Sequence, residues 1–223
     1  MIRTAGCLLS VFAFALWGIT TQEILARMDR AAPAFSTMKA EVTRITYTKV
    51  IDEKSEETGI MLLKRRGKEL RMLIEFRQPS PKIVVFSGRK GEVYYPKLNT
   101  IQEYDLSKHK QLIDQFLTLG FGATGRELAE NYQVQVKGEE AIAGEKTVHM
   151  ELIPKSAAAR QNISKIDLWM TEAGDRPVQQ RFVQPSGDYT LIRYSHAQLN
   201  IPLSDEDLKL KAPKGVKREF PQR

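Results

Sequence analysis

The clearest structural signal in the chain is the segment Glu69-Leu70-Arg71-Met72-Leu73-Ile74-Glu75-Phe76-Arg77. Apolar side chains at Leu70, Met72, Ile74 and Phe76 alternate with side chains that are mostly charged. This period of two is typical of a β-strand with one dry face and one wet face. Working outward from it, the same pattern predicts further strands, separated by turn residues, at 36–51, 57–66, 81–88, 91–96 and 99–105.

The second half of the chain repeats this pattern after a helical interruption. Apolar periodicity predicts a helix from a capping Thr21 to Ala31, a second amphipathic helix over 108–119 and a short helical turn over 126–131. Five more strands follow at 132–142, 145–154, 163–171, 176–184 and 188–199. Short connections make neighbouring strands antiparallel. The sequence therefore predicts one curved sheet of about eleven strands, with an apolar concave face capped by helices.

The first residues predict export. Arg3 precedes an apolar run that is short for a membrane span, so we interpret residues 1–20 as a signal peptide and 21–223 as a single domain. We expect the mature protein to start between residues 16 and 22. An uncleaved anchor is the alternative. Cys7, the only cysteine, lies inside this segment. The formal charge of +7 indicates an anionic membrane surface, acidic partners or an ordinary mixed-charge surface, and export argues against nucleic acid.

No catalytic or metal-binding motif is recognisable. Gly120-x-Gly122-x-x-Gly125 matches a dinucleotide-binding pattern, but a helix enters it where that motif needs a parallel strand, so we interpret it as a loop. His109, His149 and His196 lack ligand spacing, and His149 falls on the wet face of its strand. The serine-hydrolase and zinc-hydrolase motifs are missing as well. We therefore expect neither an enzyme nor a cofactor or metal site.

Large, pliable apolar side chains are the remaining feature. Methionines fall on the apolar faces of separate strands, where unbranched thioethers suit flexible ligands, although an ordinary core explains the composition alone better. If a cavity exists, strand parity and helix periodicity predict its lining. The predicted lipid-contacting residues are Leu25, Met28, Met61, Leu63, Leu70, Met72, Ile74, Phe76, Leu112, Phe116, Leu117, Val148, Met150, Leu152, Ile166, Leu168 and Met170.

The order of several short segments resembles the outer-membrane lipoprotein carrier (LolA-like) family over nearly the whole mature chain. The segments are Phe35-x-x-Met38-Lys39-Ala40-x-Val42, Gly59-Ile60-Met61-Leu62-Leu63-Lys64-Arg65, Val85-Phe86-Ser87-Gly88-x-x-Gly91-x-Val93-Tyr94-Tyr95-Pro96 and Arg176-Pro177-Val178-Gln179-Gln180. The resemblance implies an incomplete antiparallel barrel closed by a helical lid. It also implies that Arg65 anchors the lid by hydrogen bonds. Arg66 stands where the family usually has a proline.

The resemblance further implies a monomeric periplasmic carrier without catalysis. Such carriers collect acylated lipoproteins from a releasing transporter in the inner membrane and deliver them to an acceptor in the outer membrane. Cargo other than lipoproteins is left open. So is a different role, in which the same half-barrel senses mislocalised lipids or lipoproteins, and a lipid-modifying enzyme is a more distant alternative.

Overall fold

The computed structural model describes residues 18–67, 69–107 and 119–221, and within these ranges twelve strands form a single sheet. The helices are α1 (Thr21–Ala31), α2 (Gly125–Asn131) and the single turn α3 (Ala157–Arg160). The strands are β1 (Thr37–Thr48), β2 (Glu53–Arg66), β3 (Glu69–Gln78), β4 (Lys82–Ser87), β5 (Lys90–Tyr95), β6 (Thr100–Asp105), β7 (Tyr132–Ile142), β8 (Glu145–Pro154), β9 (Lys165–Thr171), β10 (Pro177–Val183), β11 (Tyr189–Leu199) and β12 (Lys217–Glu219).

The sheet consists of two meanders joined by one long-range pairing. Its order is β12-β6-β5-β4-β3-β2-β1-β11-β10-β9-β8-β7, so β1 to β6 form one meander and β7 to β11 the other. They meet where β1 pairs antiparallel with β11, with Tyr47 opposite Tyr189 and Arg44 opposite Ile192. The sheet stays open, with β12 and β7 as its edges. This confirms the predicted incomplete antiparallel barrel.

The strand number and one orientation differ from the prediction. The structure adds β12, which pairs in parallel with β6 and places Lys217 opposite Thr100. Three residues in a basic tail carry no alternation that sequence analysis could detect. Between β11 and β12 the chain crosses the sheet, and Leu208 is buried on the way.

The two faces of the sheet have different surroundings. We call the face that carries Val42, Met61, Ile74 and Leu168 the inner face, because α1 and the segment after residue 118 pack on it. The opposite, outer face carries Asp167 and Trp169, and at β4 to β6 it is covered by the chain around Leu208. Register places the apolar parity class of β1, β2, β3, β8 and β9 on the inner face, whereas Val85 and Ile101 are buried on the outer face.

Helix α1 is capped by Thr20 rather than by the predicted Thr21. Thr20 Oγ1 accepts a hydrogen bond from Glu23 N–H at 3.2 Å, and Glu23 Oε2 accepts one from Thr20 N–H at 2.8 Å. Such a capping box needs a Glu or Gln three residues after the cap, a spacing that Thr20 has and Thr21 lacks. Thr21 instead accepts a hydrogen bond from Val136 N–H of edge strand β7 at 3.1 Å.

The region between the meanders contains the predicted short helix, here α2. Its first residue, Gly125, lies so close to α1 that a Cβ there would collide with the Leu25 carbonyl. This close approach explains the last glycine of the Gly120-x-Gly122-x-x-Gly125 sequence. The predicted second helix falls, except for Leu119, outside the described residues. Residues 1–17 of the predicted signal peptide, with Cys7, also lie outside them, whereas 18–20 are described and Thr20 caps α1.

Candidate functional site

The inner face carries two separate groups of buried apolar side chains. The first, which we call the helix-covered core, lies over β7 to β9 and beneath α1. The second, which we call the cavity half, lies over β1 to β3 and β11. Helix α1 inserts Ile24 and Met28, both almost completely buried, into the first group. Over the second group the cover is incomplete.

A cavity of about 440 Å³ opens in the cavity half. Its volume falls within the range of small-molecule sites, and its surface is mostly apolar. The walls come from both meanders. The residues that line it are Val42, Arg44, Met61, Met72, Ile74, Phe76, Val84, Phe86, Phe121, Asn162, Ile163, Gln180, Phe182, Thr190, Ile192 and Tyr194.

A short irregular segment covers one end of this cavity. We call Leu119–Thr124 the strap. Gln180 Nε2 donates to the Leu119 carbonyl at 2.7 Å, and Arg65 Nη1 donates to the Gly122 carbonyl. Between these two carbonyls the strap inserts Phe121 edge-on against Tyr194, with ring centroids 5.2 Å apart. Two hydrogen bonds from side chains and one aromatic plug therefore hold it.

Buried polar groups beneath the strap satisfy each other. The Tyr194 hydroxyl donates to Gln180 Oε1 at 2.7 Å, so Gln180 links the strap to β11. Burial raises the pKa of Tyr194, which keeps its hydroxyl protonated. The Arg65 guanidinium donates a second hydrogen bond from Nε to the Gly67 carbonyl at 3.1 Å. Arg65 was singled out from the sequence, and its role as the lid anchor stays a prediction.

The structure divides the predicted lipid-contacting residues between the two groups. Met61, Met72, Ile74 and Phe76 line the cavity, and Leu63 and Leu70 are buried beside them. The others in the described ranges lie in or against the helix-covered core, where α1 fills the space above the strands. These are Leu25, Met28, Val148, Met150, Leu152, Ile166, Leu168 and Met170. Leu112, Phe116 and Leu117 lie outside the described residues.

Sequence reasoning missed the part of the wall that β1, β4, β10 and β11 supply. The same parity argument could have found Val42, Val84 and Ile192, because each shares its face with an apolar neighbour two positions away, Ala40, Phe86 and Tyr194 respectively. Phe121 gave no periodic signal, since it belongs to an irregular segment. Arg44 was missed although it alternates with Ala40 and Val42, which are buried on the inner face.

The histidines that the structure describes have partners on the outer face or at the surface. His149 Nε2 lies 3.1 Å from Asp167 Oδ1, and its ring stacks on Trp169 with centroids 4.4 Å apart. His196 Nδ1 lies 3.0 Å from Glu41 Oε2 in an exposed pair. His109 falls outside the described ranges. Among the described residues there is no group of three His, Cys, Asp or Glu side chains that could hold a metal ion.

The sequence of this chain matches a family model described as outer membrane lipoprotein carrier protein LolA over residues 34–211. No curated protein matches the chain. Within residues 18–67, 69–107 and 119–221, no helix has both the length and the apolar character that a membrane span requires.

Several solved structures are similar in fold. An uncharacterized conserved protein from Thermus thermophilus is 15% identical, with a TM-score of 0.56 over 89% of this chain and 98% of that chain. MucB in the Pseudomonas aeruginosa MucA/MucB complex is 13% identical, with a TM-score of 0.50 over 86% of this chain and 61% of MucB. A LolA superfamily protein from Nitrosomonas europaea is 18% identical, with a TM-score of 0.41 over 86% of this chain and 98% of that chain. At these identities the likeness concerns the fold alone.

Proposed function

This chain belongs to the outer membrane lipoprotein carrier family, whose members are carriers and not enzymes, and from this premise we propose that it is a periplasmic carrier of lipoprotein acyl chains. It takes its cargo from a releasing transporter in the inner membrane, works as a monomer and passes the cargo to an acceptor in the outer membrane. The signal peptide at residues 1–20 directs it to the periplasm.

The apolar cavity under the strap is the observation that carries this proposal. When an acyl chain leaves a membrane for water, the transfer costs about 0.8 kcal/mol of free energy per methylene. A carrier must therefore offer the chain an apolar surface. Met61, Met72 and Phe76 provide such an apolar surface on the inner face of the sheet. The flexible thioethers of the two methionines suit a ligand with many conformations.

The strap supports release as well as binding. The Gly122 carbonyl and the Leu119 carbonyl are its two hydrogen-bonded attachment points, on Arg65 and Gln180. A charge-assisted hydrogen bond of this kind contributes about 1.5–3 kcal/mol, an amount that cargo binding can outweigh. We expect Arg65 to favour the closed, empty state and so to help expel cargo at the acceptor.

Replacing Arg65→Leu tests this role. The variant loses the bond to Gly122 and gains apolar surface beside Leu63 and Met61, so it should accept cargo normally and hand it on poorly. Transfer of a purified acylated lipoprotein from carrier to acceptor membranes, scored separately for loading and release, measures both steps. Arg66→Leu is the matched control, because Arg66 is exposed and its nearest acidic partner is Asp205 at 3.4 Å. Equal release by wild type and Arg65→Leu would contradict the proposed anchor.

Native mass spectrometry of the exported protein tests the function itself. A carrier should leave the envelope with lipid or lipoprotein bound and with its first residue between 16 and 22. A stable complex with a signalling protein and no lipid would instead support the sensor that the sequence leaves open. Full-length protein retained in the inner membrane would contradict the periplasmic assignment.

A further inference from the structure

Arg44 is the only charged residue among the described residues that line the cavity. It lies on β1 in the same parity class as Ala40 and Val42, opposite Ile192 of β11 and Glu57 of β2. Its side chain is only 33% exposed. A guanidinium in an apolar wall is costly unless acceptors surround it, so the groups around Arg44 decide what this wall can bind.

A second cation shares the partner of Arg44. Arg44 Nη2 donates to Glu57 Oε2, and Lys82 Nζ lies 2.5 Å from Glu57 Oε1. Both cations also lie over the Phe76 ring, at 4.8 Å and 5.3 Å from its centroid. The apolar wall of the cavity therefore begins directly beside this charged group. We call Arg44, Glu57 and Lys82 the cationic rim.

The cationic rim has an excess of positive charge. Burial alone would raise the pKa of Glu57, but its hydrogen bonds to Lys82 and Arg44 and their charges outweigh this effect and lower it. Glu57 is therefore an anion at neutral pH, and one carboxylate faces two cations. The side chain of Glu57 is only 14% exposed, so solvent compensates this imbalance less well than it would at an open surface.

One donor of the cationic rim is also unused. Arg44 Nε is buried and has no hydrogen-bond partner among the described residues. Buried donors are almost always paired, and an unpaired one in a native structure calls for an explanation. Because the Arg44 side chain as a whole is one-third exposed, an anionic oxygen at the end of a bound chain can approach its guanidinium, where it would add an acceptor and neutralise the excess charge.

The volume of the cavity sets the number of chains. At roughly 30 Å³ for a group the size of a water molecule or a methylene, 440 Å³ holds about fifteen such groups. This is one acyl chain of ordinary length and not three. The volume beneath the described cover therefore corresponds to about one acyl chain.

We propose that the cavity binds a single-chain amphiphile with an anionic head, which lies on Arg44 and Lys82 while the chain runs past Phe76 toward Phe121. The head is a carboxylate or a phosphate, as in a fatty acid or a single-chain phospholipid. This inference rests on the proposed function in one respect, since it names a ligand class for the same cavity. It differs from that function in requiring the head as well as the chain.

Binding of three twelve-carbon probes to the purified exported protein tests the proposal. Dodecanoate and dodecyl phosphate should bind about 10- to 100-fold more tightly than dodecanol, because only they offer charged acceptors to the cationic rim. A preference between the two anions identifies the head. Inorganic phosphate should not displace either probe, since it lacks the chain.

Matched variants assign the effect to the cationic rim. Arg44→Met and Lys82→Met should each reduce the preference for anionic probes while dodecanol binds as before. Arg193→Met is the control, because Arg193 lies next to Ile192 on β11 and pairs with Gln179 on the other face of the sheet. If Arg44→Met does not fold, Lys82→Met carries the same test.

The outcomes separate the two proposals. Equal binding of dodecanol and the anionic probes to the wild type would overturn the anionic site and leave the carrier proposal standing. A preference that persists in both rim variants would also overturn it. If no probe binds at all, the cavity does not take a single chain, and the observation that carries the proposed function is lost with it.

Discussion

The helix-covered core and the cavity half share one sheet face and one pattern of alternation, yet only the first is filled. Over β7 to β9, α1 inserts Ile24 and Met28 between the strand side chains, and Val148, Leu168 and Met170 beneath it are completely buried. Over β1 to β3 and β11, the strap inserts Phe121 and leaves about 440 Å³. The difference teaches that the cover, and not the strands, decides which half of the sheet stabilises the fold and which half can bind.

The largest effect is expected from removing one apolar side chain in each of the two groups and comparing the losses of stability. Leu168→Ala removes a completely buried side chain from the helix-covered core and should lower the free energy of unfolding by about 2–5 kcal/mol. Ile74→Ala removes a side chain that faces a cavity and has fewer packing contacts to lose, so the cost should be roughly 1–2 kcal/mol. Urea unfolding of both variants measures the difference.

Lipid binding should respond in the opposite way. Ile74→Ala should weaken binding of an acyl probe, because Ile74 lines the cavity, whereas Leu168→Ala, measured without urea so that it stays folded, should not. Equal losses of stability together with equal losses of binding would show that the two halves act as one core.

A smaller effect comes from loosening the strap without replacing its charged anchor, Arg65. In Gly122→Ala the new Cβ would collide with Arg65 Nη1 and come 3.0 Å from the Phe35 ring, at a backbone φ of +68° that favours glycine. We expect a loss of about 1–2 kcal/mol in the free energy of unfolding and faster dissociation of bound lipid. Stopped-flow dissociation of a fluorescent acyl probe measures the second change.

Gly144→Ala is the matched control for the strap. Gly144 also has a positive φ, +84°, but no atom lies within 4 Å of the Cβ position in its hairpin turn. It should therefore show the backbone cost alone, with normal lipid dissociation. If both glycine variants release lipid at the same rate, the strap does not control the cavity.

Sequence analysis could predict the sheet more fully than the site, for a physical reason. Strand alternation is a local property, so Leu70, Met72 and Leu168 were placed on the correct face from their neighbours alone. Whether a face is filled depends on which distant segment covers it. Nothing local to Met150 and Met72 shows that α1 covers the first of them and a cavity opens above the second.

Part of the cationic rim could have been predicted from the sequence. Arg65 can be identified from the sequence, because its parity places it on the apolar face and because the resemblance to the carrier family implies a role for it. Arg44 and Lys82 have the same inner-face parity on β1 and β4, but their common partner Glu57 comes from a third strand. A charge in an apolar parity class is therefore a sequence signal by itself, whereas its partners become visible only with the register.

The smallest expected effect is on the pH dependence of stability, and it arises from Asp167 on the outer face. Behind the helix-covered core, Asp167 is buried and accepts hydrogen bonds from the Arg181 guanidinium at 2.7 Å and 2.9 Å. Burial alone would raise its pKa, but Arg181 and His149 outweigh this and hold the pKa of Asp167 below its usual range. Its contribution to stability is therefore complete above the unfolded-state pKa of about 3.9 and is lost as the pH falls through the lower, folded value.

We expect the stability of the wild type to fall more steeply below about pH 4 than that of Asp167→Asn, which has no carboxyl group to protonate. Fluorescence of Trp169, which stacks on His149 two strand positions from Asp167, reports urea unfolding of this half directly. Asp205→Asn is the control on the outer face behind the cavity half, because Asp205 also has a lowered pKa but is 39% exposed, where solvent screens its ion pairs. Identical acid dependence in wild type and Asp167→Asn would show that this ion pair does not stabilise the fold.

The pairing of β1 with β11 sets the order in which binding can arise during folding. Every other antiparallel pair in the sheet joins strands that follow one another in the chain, whereas this seam joins residues from its two ends. Closing such a long loop costs conformational entropy before any contact across the seam repays it, and non-local pairing of this kind slows folding. Ile74 and Phe182 belong to different meanders, so the cavity has no walls until the seam is closed. A lipid that binds only when β1 and β11 are paired stabilises the folded protein relative to the unfolded chain. For that step the cargo assists the folding of its own carrier.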